Sequence, residues 1–182
     1  MPDRPKEPRQ ANADDVPDAP SPAIFLDRDG VLNANRDDYV KSWSEFAWLP
    51  GTFHSLRALR AAGYALVVVT NQSMVGRGLA AAAALEDIHR RMLAELARHQ
   101  ASLDAIMVCT HAPDDRCACR KPEPGLVLEA ARLLRVDLAR SVLVGDRDSD
   151  LEAGRRAGVG RLERVGPARP LWKVAREIVA SL

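Results

Sequence analysis

The chain has 182 residues, 47% of them hydrophobic and 28% charged, which is typical of one globular domain with its own core. Its formal net charge is +1, so it has no general attraction to nucleic acids or anionic membranes, and any anion must bind at a local site. No apolar run is long enough for a membrane span or a secretory signal, and we expect a cytoplasmic protein.

The first 22 residues differ in composition from the remainder of the chain. They are rich in Pro, Asp, Ala and Arg and contain no apolar run. Such a segment buries too little apolar surface to offset the entropy lost on folding. The sequence therefore predicts a disordered tail over residues 1–22 and a single folded domain over residues 23–182.

From residue 23 onward, short apolar runs alternate with stretches rich in Ala and Leu that have helical spacing. This alternation predicts an α/β fold, a three-layer, Rossmann-like, doubly wound parallel sheet. Ligands of such sheets bind beyond the carboxyl ends of the strands, and those ends carry Asp27, Thr70, Cys109 and Asp146. The predicted strands are 23–26, 65–69, 106–108 and 142–144, and the predicted helices are 52–62, 79–99, 124–135, 151–157 and 174–182.

Two acidic clusters follow predicted strands. Asp27 and Asp29 come directly after the first strand, and residues 146–150 repeat the pattern after the last. Carboxylates that face one point repel each other unless a cation neutralises them, and hard oxygen ligands suit Mg²⁺. Aspartates are also common at strand–helix junctions as turn and helix-cap residues. For either cluster alone, the alternative is that its aspartates have this structural role and bind no metal. The presence of both clusters, with polar residues 70–73 at a third strand end, favours a magnesium site.

These motifs resemble, in order, those of the haloacid dehalogenase-like (HAD) phosphohydrolases. Asp27–Gly30 matches the Asp-x-Asp-Gly motif, Val67–Thr70 matches the strand that ends in Thr or Ser, and Lys121 matches the lysine before a helix. Gly145–Asp150 matches Gly-Asp-x-x-x-Asp. The resemblance implies that Asp150 orients the lysine or the surroundings of the metal rather than coordinating the metal itself.

The resemblance also implies a mechanism. Asp27 would attack phosphorus and carry the phosphoryl group as an aspartyl-phosphate, and Asp29 would act as general acid and then base. Mg²⁺ would be held by Asp27, Asp146 and the backbone carbonyl of Asp29. Thr70 and Lys121 would contact the phosphoryl oxygens.

A second candidate metal site lies in one loop. Cys109, His111, Cys117 and Cys119 supply four ligands within eleven residues, a Cys₃His set of the kind that binds structural zinc. In a reducing compartment such a group indicates metal binding rather than disulfides. The alternative is that Cys109 is a core thiol and the other three are incidental. Since residues 112–116 have little apolar content to hold the loop, we predict a zinc-stabilised loop.

The zinc loop continues into Arg120-Lys121-Pro122, and this combination resembles the D-glycero-D-manno-heptose-1,7-bisphosphate 7-phosphatases and the related histidinol-phosphate phosphatases. The segment Thr70–Gly78 and the pair Tyr39-Val40 resemble the heptose enzymes more closely, although Thr110 and Met74 depart from their usual Pro and Gly. The resemblance implies that Arg120 binds a second phosphate. It also implies that the sugar side is lined by Asn35, Tyr39, Asn71, Gln72 and Ser73.

The preferred hypothesis is therefore a monomeric, magnesium-dependent phosphatase acting on a small phosphorylated sugar, most specifically the 7-phosphate of a heptose bisphosphate. A histidinol-phosphate or other sugar-phosphate phosphatase is the nearest alternative. A nucleic-acid 3′-phosphatase is disfavoured by the near-zero charge and the few aromatic residues. A non-catalytic zinc-binding interaction module is disfavoured because the nucleophile and acid are both present. No large cap domain is expected, since residues 30–51 are too few to fold alone.

Some residues are expected to be structural. Aromatic side chains between residues 43 and 48 are interpreted as packing rather than as a wall of the substrate site. The helical histidines are interpreted as surface or half-buried residues with no partner cluster. They are His54, His89 and His99.

Overall fold

The computed structural model describes residues 19–182, so most of the predicted tail lies outside the described residues. Within residues 19–182, no helix is both long and apolar enough to cross a membrane. Five strands and five α-helices alternate along this part of the chain. They are β1 (Ala23–Leu26), α1 (Thr52–Ala61), β2 (Ala65–Asn71), α2 (Ala82–Arg98), β3 (Ala105–Cys109), α3 (Gly125–Leu134), β4 (Val142–Gly145), α4 (Asp148–Ala157), β5 (Arg161–Arg164) and α5 (Leu171–Ala180).

The five strands form one parallel sheet in the order β3-β2-β1-β4-β5, which confirms the predicted fold class. In the centre of the sheet, Phe25 of β1 is in register with Val67 of β2 and Leu143 of β4. The chain leaves β1 toward β2 on one side and later returns to β4 on the other side. The ends of β1 and β4 therefore flank the point at which the strand order reverses, where open sheets of this kind bind ligands.

Helices cover both faces of the sheet because successive strand residues point to opposite sides. Leu26 and Val144 belong to a core cluster that also contains residues of α1, α2 and α5. Phe25 and Leu143 belong to a second cluster, packed with residues of α3 and α4. The result is the predicted three-layer arrangement. In the described chain no cap domain stands over the sheet edge, and the β1–α1 connection holds one short 3₁₀ turn at Trp43–Glu45.

The structure adds a strand that the sequence did not predict. Strand β5 lies at the sheet edge and carries charge, and its residue Glu163 is buried against Arg161 Nε at 2.6 Å and Arg169 Nη2 at 2.7 Å. The strand was not predicted because it lacks an apolar run, and a strand at the edge of a sheet can carry charged residues. Helix α2 begins at Ala82 rather than at residue 79, since residues 73–80 form successive hydrogen-bonded turns.

The aromatic residues after β1 pack on one another. The Trp43 and Phe46 rings are stacked with centroids 4.9 Å apart, and the Phe46 and Trp48 rings meet edge to face at the same distance. All three pack against the core on the α1 side of the sheet. The packing interpretation is confirmed.

Candidate active site

Asp27, the first residue after β1, is paired with the buried side chain of Lys121. Lys121 Nζ lies 2.7 Å from Asp27 Oδ1, 2.7 Å from Asp150 Oδ1 and 2.7 Å from the carbonyl oxygen of Val69. These three acceptors use all three ammonium protons. Burial raises the pKa of Asp27 to about 6, against the lowering effect of Lys121. A lysine ammonium is therefore fixed beside the Asp27 carboxylate, as expected for a group that meets phosphate.

A compact acidic group occupies the switch point between β1 and β4. Carboxylate oxygens of Asp27, Asp146 and Asp150 lie within 4.8 Å of one another. Asp146 Oδ1 is buried and has no hydrogen-bond partner among the described residues, and burial raises the pKa of this carboxyl group. Both features fit a cation site, because a divalent ion would pair the oxygen and offset the repulsion between the carboxylates. The donor set of hard oxygens suits Mg²⁺.

Gly30 allows this group to form. Its φ is +85°, and a Cβ placed on it would fall well inside van der Waals distance of the Asp146 carboxylate. A residue with a side chain would therefore be strained at this φ and would also push the β4 aspartate away. Glycine is the residue that fits both requirements.

The Asp29 carboxylate lies apart from the acidic group, although it lines the same cleft as Asp27. Arg28 holds it through Nη2 at 3.0 Å from Oδ1 and 2.9 Å from Oδ2. Asn33 Nδ2 donates to Oδ1 at 2.8 Å, and Gln72 Nε2 donates to Oδ2 at 2.7 Å. The Asp29 carboxylate is therefore held by Arg28, Asn33 and Gln72, apart from the Asp27, Asp146 and Asp150 carboxylates.

The residues at the end of β2 support the acid and the lysine. Asn71 receives the Lys121 backbone N–H on Oδ1 and donates Nδ2 to the Lys121 carbonyl, both at 3.1 Å, so its amide fixes the lysine backbone. Gln72 is buried, and its amide contacts Asp29, Arg28 and Thr70 rather than the cleft. Thr70 is also buried and accepts a hydrogen bond from Gln72 on Oγ1 at 2.9 Å.

A polar cleft of about 420 Å³ opens over Asp27 and Asp29. Tyr39 is held in the left-handed region at φ +67°, and its hydroxyl lies 3.2 Å from Ser73 Oγ. Arg120 contributes a buried Nη1 that has no hydrogen-bond partner among residues 19–182. The predicted substrate residues that line the cleft are Asn35, Tyr39, Asn71, Ser73 and Arg120, joined by Arg36 and Arg147, which were not predicted.

The predicted zinc ligands converge in space. Cys119 Sγ lies 3.3 Å from Cys109 Sγ, 3.4 Å from Cys117 Sγ and 3.2 Å from His111 Nδ1. Bonds of about 2.3 Å to sulfur place tetrahedral ligands about 3.8 Å apart, so the cluster is close to the size that zinc requires. All three cysteines are free thiols, and burial with the neighbouring sulfur atoms raises the pKa of Cys119 to about 12. Burial acts in the same direction on Cys117, but hydrogen bonds from Cys119 and the nearby backbone lower the pKa of Cys117 to about 7. The three sulfur atoms and the imidazole together form a donor set that suits zinc.

Besides Arg36 and Arg147, two side chains near Asp29 were missed from the sequence. Arg28 stands between the two motif aspartates, and that position was the available signal. His89 of α2 lies 3.2 Å from Arg28 Nη1, so the expectation that it has no partner nearby is wrong. No pattern in the sequence signals this contact, because it depends on how α2 packs. His54 is exposed as expected, whereas His99 stacks on Phe53 with ring centroids 3.9 Å apart.

Comparison with known proteins agrees with this geometry. Residues 118–162 match the HAD-hydrolase-like family model. The D-glycero-beta-D-manno-heptose-1,7-bisphosphate 7-phosphatase of Bordetella bronchiseptica is 47% identical over 135 residues, 74% of this chain and 75% of that protein. The chain belongs to this family of HAD-like phosphatases.

A second relative and a solved structure extend the comparison. The D-glycero-alpha-D-manno-heptose-1,7-bisphosphate 7-phosphatase of Mycobacterium tuberculosis is 47% identical over 131 residues, 71% of this chain and 69% of that protein. The crystal structure of the D,D-heptose 1,7-bisphosphate phosphatase of B. bronchiseptica, complexed with magnesium and phosphate, matches with a TM-score of 0.82 at 38% identity. That match covers 88% of this chain and 99% of the other. Membership of the family makes the chain a phosphoric monoester hydrolase.

Proposed function

We propose that this phosphatase removes the 7-phosphate of D-glycero-D-manno-heptose 1,7-bisphosphate through a phosphorylated Asp27. The observation that carries the proposal is the meeting of Asp27, Lys121 and Asp146 at the switch point of the sheet. The family to which the chain belongs supports the choice of substrate, since its members are named for this heptose bisphosphate.

The proposed reaction begins with attack of an Asp27 oxygen on phosphorus. The fixed Lys121 ammonium stabilises, as a point charge, the negative charge that moves onto the phosphoryl oxygens, and Thr70 contacts those oxygens. Asp29 gives a proton to the leaving oxygen of the sugar and later takes one from the water that hydrolyses phospho-Asp27. The short distance between Lys121 Nζ and Asp27 Oδ1, 2.7 Å, supports this division of roles.

Magnesium fits the acidic group, and we assign it to the Asp27 and Asp146 carboxylates with the backbone carbonyl of Asp29. When bound, the ion neutralises charge on the transferring phosphoryl group. The unpaired, buried Asp146 Oδ1 supports this assignment, as does the magnesium in the related B. bronchiseptica crystal structure. Asp150 pairs with Lys121 at 2.7 Å, which supports an orienting role for it.

Zinc fits the Cys₃His cluster, and we assign it a structural role. With four protein ligands the ion has no open position for substrate. The loop leads directly to Arg120 and Lys121, so its order decides where those two cations stand. At the other end of the loop, the Lys121 backbone is held by Asn71 of β2, so the zinc cluster and Asn71 would fix this segment from both sides.

The second phosphate of the substrate is assigned to Arg120. A buried guanidinium N–H without a partner costs free energy unless a ligand pairs it, and a phosphate oxygen is a suitable partner. Arg36 and Arg147 add positive charge to the same cleft. Histidinol phosphate lacks a second phosphate, so the unpaired guanidinium nitrogen of Arg120 favours the bisphosphate.

A substrate panel tests the proposal. Both anomers of the heptose bisphosphate, histidinol phosphate and a 3′-phosphorylated oligonucleotide are assayed with Mg²⁺ for released phosphate. We expect the highest kcat/KM for a heptose bisphosphate, with one equivalent released and the anomeric phosphate retained in the ³¹P spectrum. A clear preference for histidinol phosphate would overturn the substrate, and loss of the anomeric phosphate would overturn the position of cleavage.

Two variants complete the test. Asp27→Asn removes the nucleophile and is expected to abolish phosphate release while the circular dichroism spectrum remains native. Glu129→Gln makes the same chemical change at an exposed position of α3 and is expected to leave turnover unchanged. Full activity of the Asp27 variant would refute the covalent mechanism.

A further inference from the structure

Arg28 is a completely buried cation in the middle of the candidate active site. Its Nε and Nη2 contact the Asp29 carboxylate, and Nη2 also donates to Gln72 Oε1 at 3.1 Å. Its remaining nitrogen, Nη1, lies 3.2 Å from His89 Nε2. A buried guanidinium must find a partner for each nitrogen, so the direction in which it points is set by Asp29 on one side and His89 on the other.

The contact with Arg28 fixes the state of His89. A guanidinium only donates hydrogen bonds, so His89 Nε2 must accept, and the ring is neutral with its proton on Nδ1. Burial, with the nearby positive charge of Arg28, lowers the pKa of His89 to about 4, in agreement with a neutral ring. Because His89 is neutral, Asp29 is the group that forms the ion pair with Arg28.

The Asp29 carboxylate is held in one orientation by this arrangement. Arg28 reaches both of its oxygens, while Asn33 and Gln72 donate to one oxygen each. His89 touches neither Asp29 nor the cleft, so it reaches the carboxylate only through Arg28. A loss of the His89 contact would free Nη1 and let the guanidinium turn, and the carboxylate would turn with it.

We propose that His89 and Arg28 are positioning residues that aim Asp29 at the leaving oxygen, an inference that rests on the proposed function. As the bond between phosphorus and that oxygen breaks, the proton of the Asp29 carboxyl passes to it. The carboxylate left behind is stabilised by the fixed guanidinium, and it later takes the proton of the water that attacks phospho-Asp27. Small errors in the position of an acid cost rate steeply, because proton transfer needs hydrogen-bond distance.

The effect of losing this positioning should depend on whether the leaving group needs a proton. An alkoxide must receive a proton to leave, whereas p-nitrophenolate leaves without one. An incorrectly oriented Asp29 should therefore lower the first-turnover rate for an alkyl phosphate and leave the rate for p-nitrophenyl phosphate unchanged. A general loss of folding or of metal binding would slow both to the same extent.

The experiment compares first-turnover release of the two leaving groups in three variants of the full chain with Mg²⁺. His89→Leu removes the acceptor and is expected to slow alkyl release about 10- to 100-fold, with less than about threefold effect on p-nitrophenolate. His89→Gln supplies an amide oxygen to Arg28 and should stay within about threefold of the unmodified chain for both. His54→Leu, the same change at an exposed position of α1, should alter neither rate.

Equal slowing of both leaving groups in His89→Leu, no slowing of either, or an equal loss in His89→Gln would overturn the proposal. If the leucine variant fails to fold, His89→Glu replaces it. Its carboxylate would compete with Asp29 for the guanidinium, so the same selective loss is expected and an unchanged ratio would contradict it. An unmodified chain that releases neither leaving group with Mg²⁺ would instead refute the proposed function.

Discussion

At the scale of single residues, Gly30 allows the turn after β1 to lie directly against the Asp146 carboxylate at the end of β4. It has φ +85° and faces Asp146, whereas Gly63 has φ +90° with nothing within 4 Å of the position where a Cβ would stand. We predict that Gly30→Ala and Gly63→Ala each lower the free energy of unfolding by about 1 kcal/mol through backbone strain. Only Gly30→Ala also displaces Asp146, so it alone should raise the Mg²⁺ concentration for half-maximal activity, by about tenfold or more.

Urea unfolding and magnesium titration of turnover separate the two effects of Gly30→Ala. Gly63→Ala controls for strain because its backbone conformation is nearly the same and its surroundings are open. The steric account fails if both variants need the same Mg²⁺ concentration as the unmodified chain. It also fails if Gly63→Ala shows the same rise as Gly30→Ala.

At the scale of elements, the loop that carries the Cys₃His cluster is a short connection, and we propose that zinc keeps it ordered. We predict that Cys117→Ser loses zinc, lowers the melting temperature and lowers turnover about tenfold, because Arg120 and Lys121 follow the loop directly. Cys117 is a better choice than the buried Cys109, whose loss would also disturb the core. Ala118→Ser, an exposed change between two ligands, is the matched control and should retain zinc and activity.

Metal analysis and hydrogen exchange of residues 109–121 provide the readout. Exchange should speed up there in Cys117→Ser and stay unchanged in the buried strand β1. Unchanged melting and turnover after verified loss of zinc would contradict the structural role. Restoration of Mg²⁺ alone should not recover activity, which separates the two metal sites.

Some elements of this fold could be predicted from the sequence and others could not. Strands β1, β2 and β4 were predictable because their apolar runs are buried on both faces, and the ends of β1 and β4 carry the acids. The carboxyl ends of parallel strands meet at one edge of a sheet, and this rule alone predicted from the sequence that Asp27 and Asp146 lie together. Strand β5 was not predictable, since its Glu163 is buried through ion pairs with arginines rather than through apolar character.

The contact between Arg28 and His89 lay beyond sequence reasoning for a different reason. It joins residues 61 positions apart, and nothing in the periodicity of α2 marks one polar residue of its partly buried side as special. Gln72 is a similar case. Its place in a strand-end motif suggested contact with the sugar, while its burial against Asp29 follows from side-chain packing.

At the scale of the whole molecule, backbone pairing indicates that the folded unit begins before residue 23. Ser21 donates its N–H to the Arg135 carbonyl at 3.3 Å and accepts from Asp137 N–H at 3.0 Å, while Ala65 N–H donates to the Pro22 carbonyl at 3.0 Å. Each such bond contributes about 1 kcal/mol net. We propose that the domain starts near residue 21, slightly earlier than composition suggests.

Two truncated chains test this boundary. A chain that begins at Ala19 should keep the free energy of unfolding of the full chain within about 0.5 kcal/mol, since it retains all three bonds. A chain that begins at Ala23 should lose about 3 kcal/mol, because the bonds are gone and a charged amine replaces the buried Ala23 N–H, which donates to Ser141 Oγ at 2.9 Å. Both chains should keep kcat/KM wherever they remain folded, because Ser21 and Pro22 lie at the opposite end of β1 from Asp27. Equal stability of the two chains in urea would place the boundary at residue 23 after all.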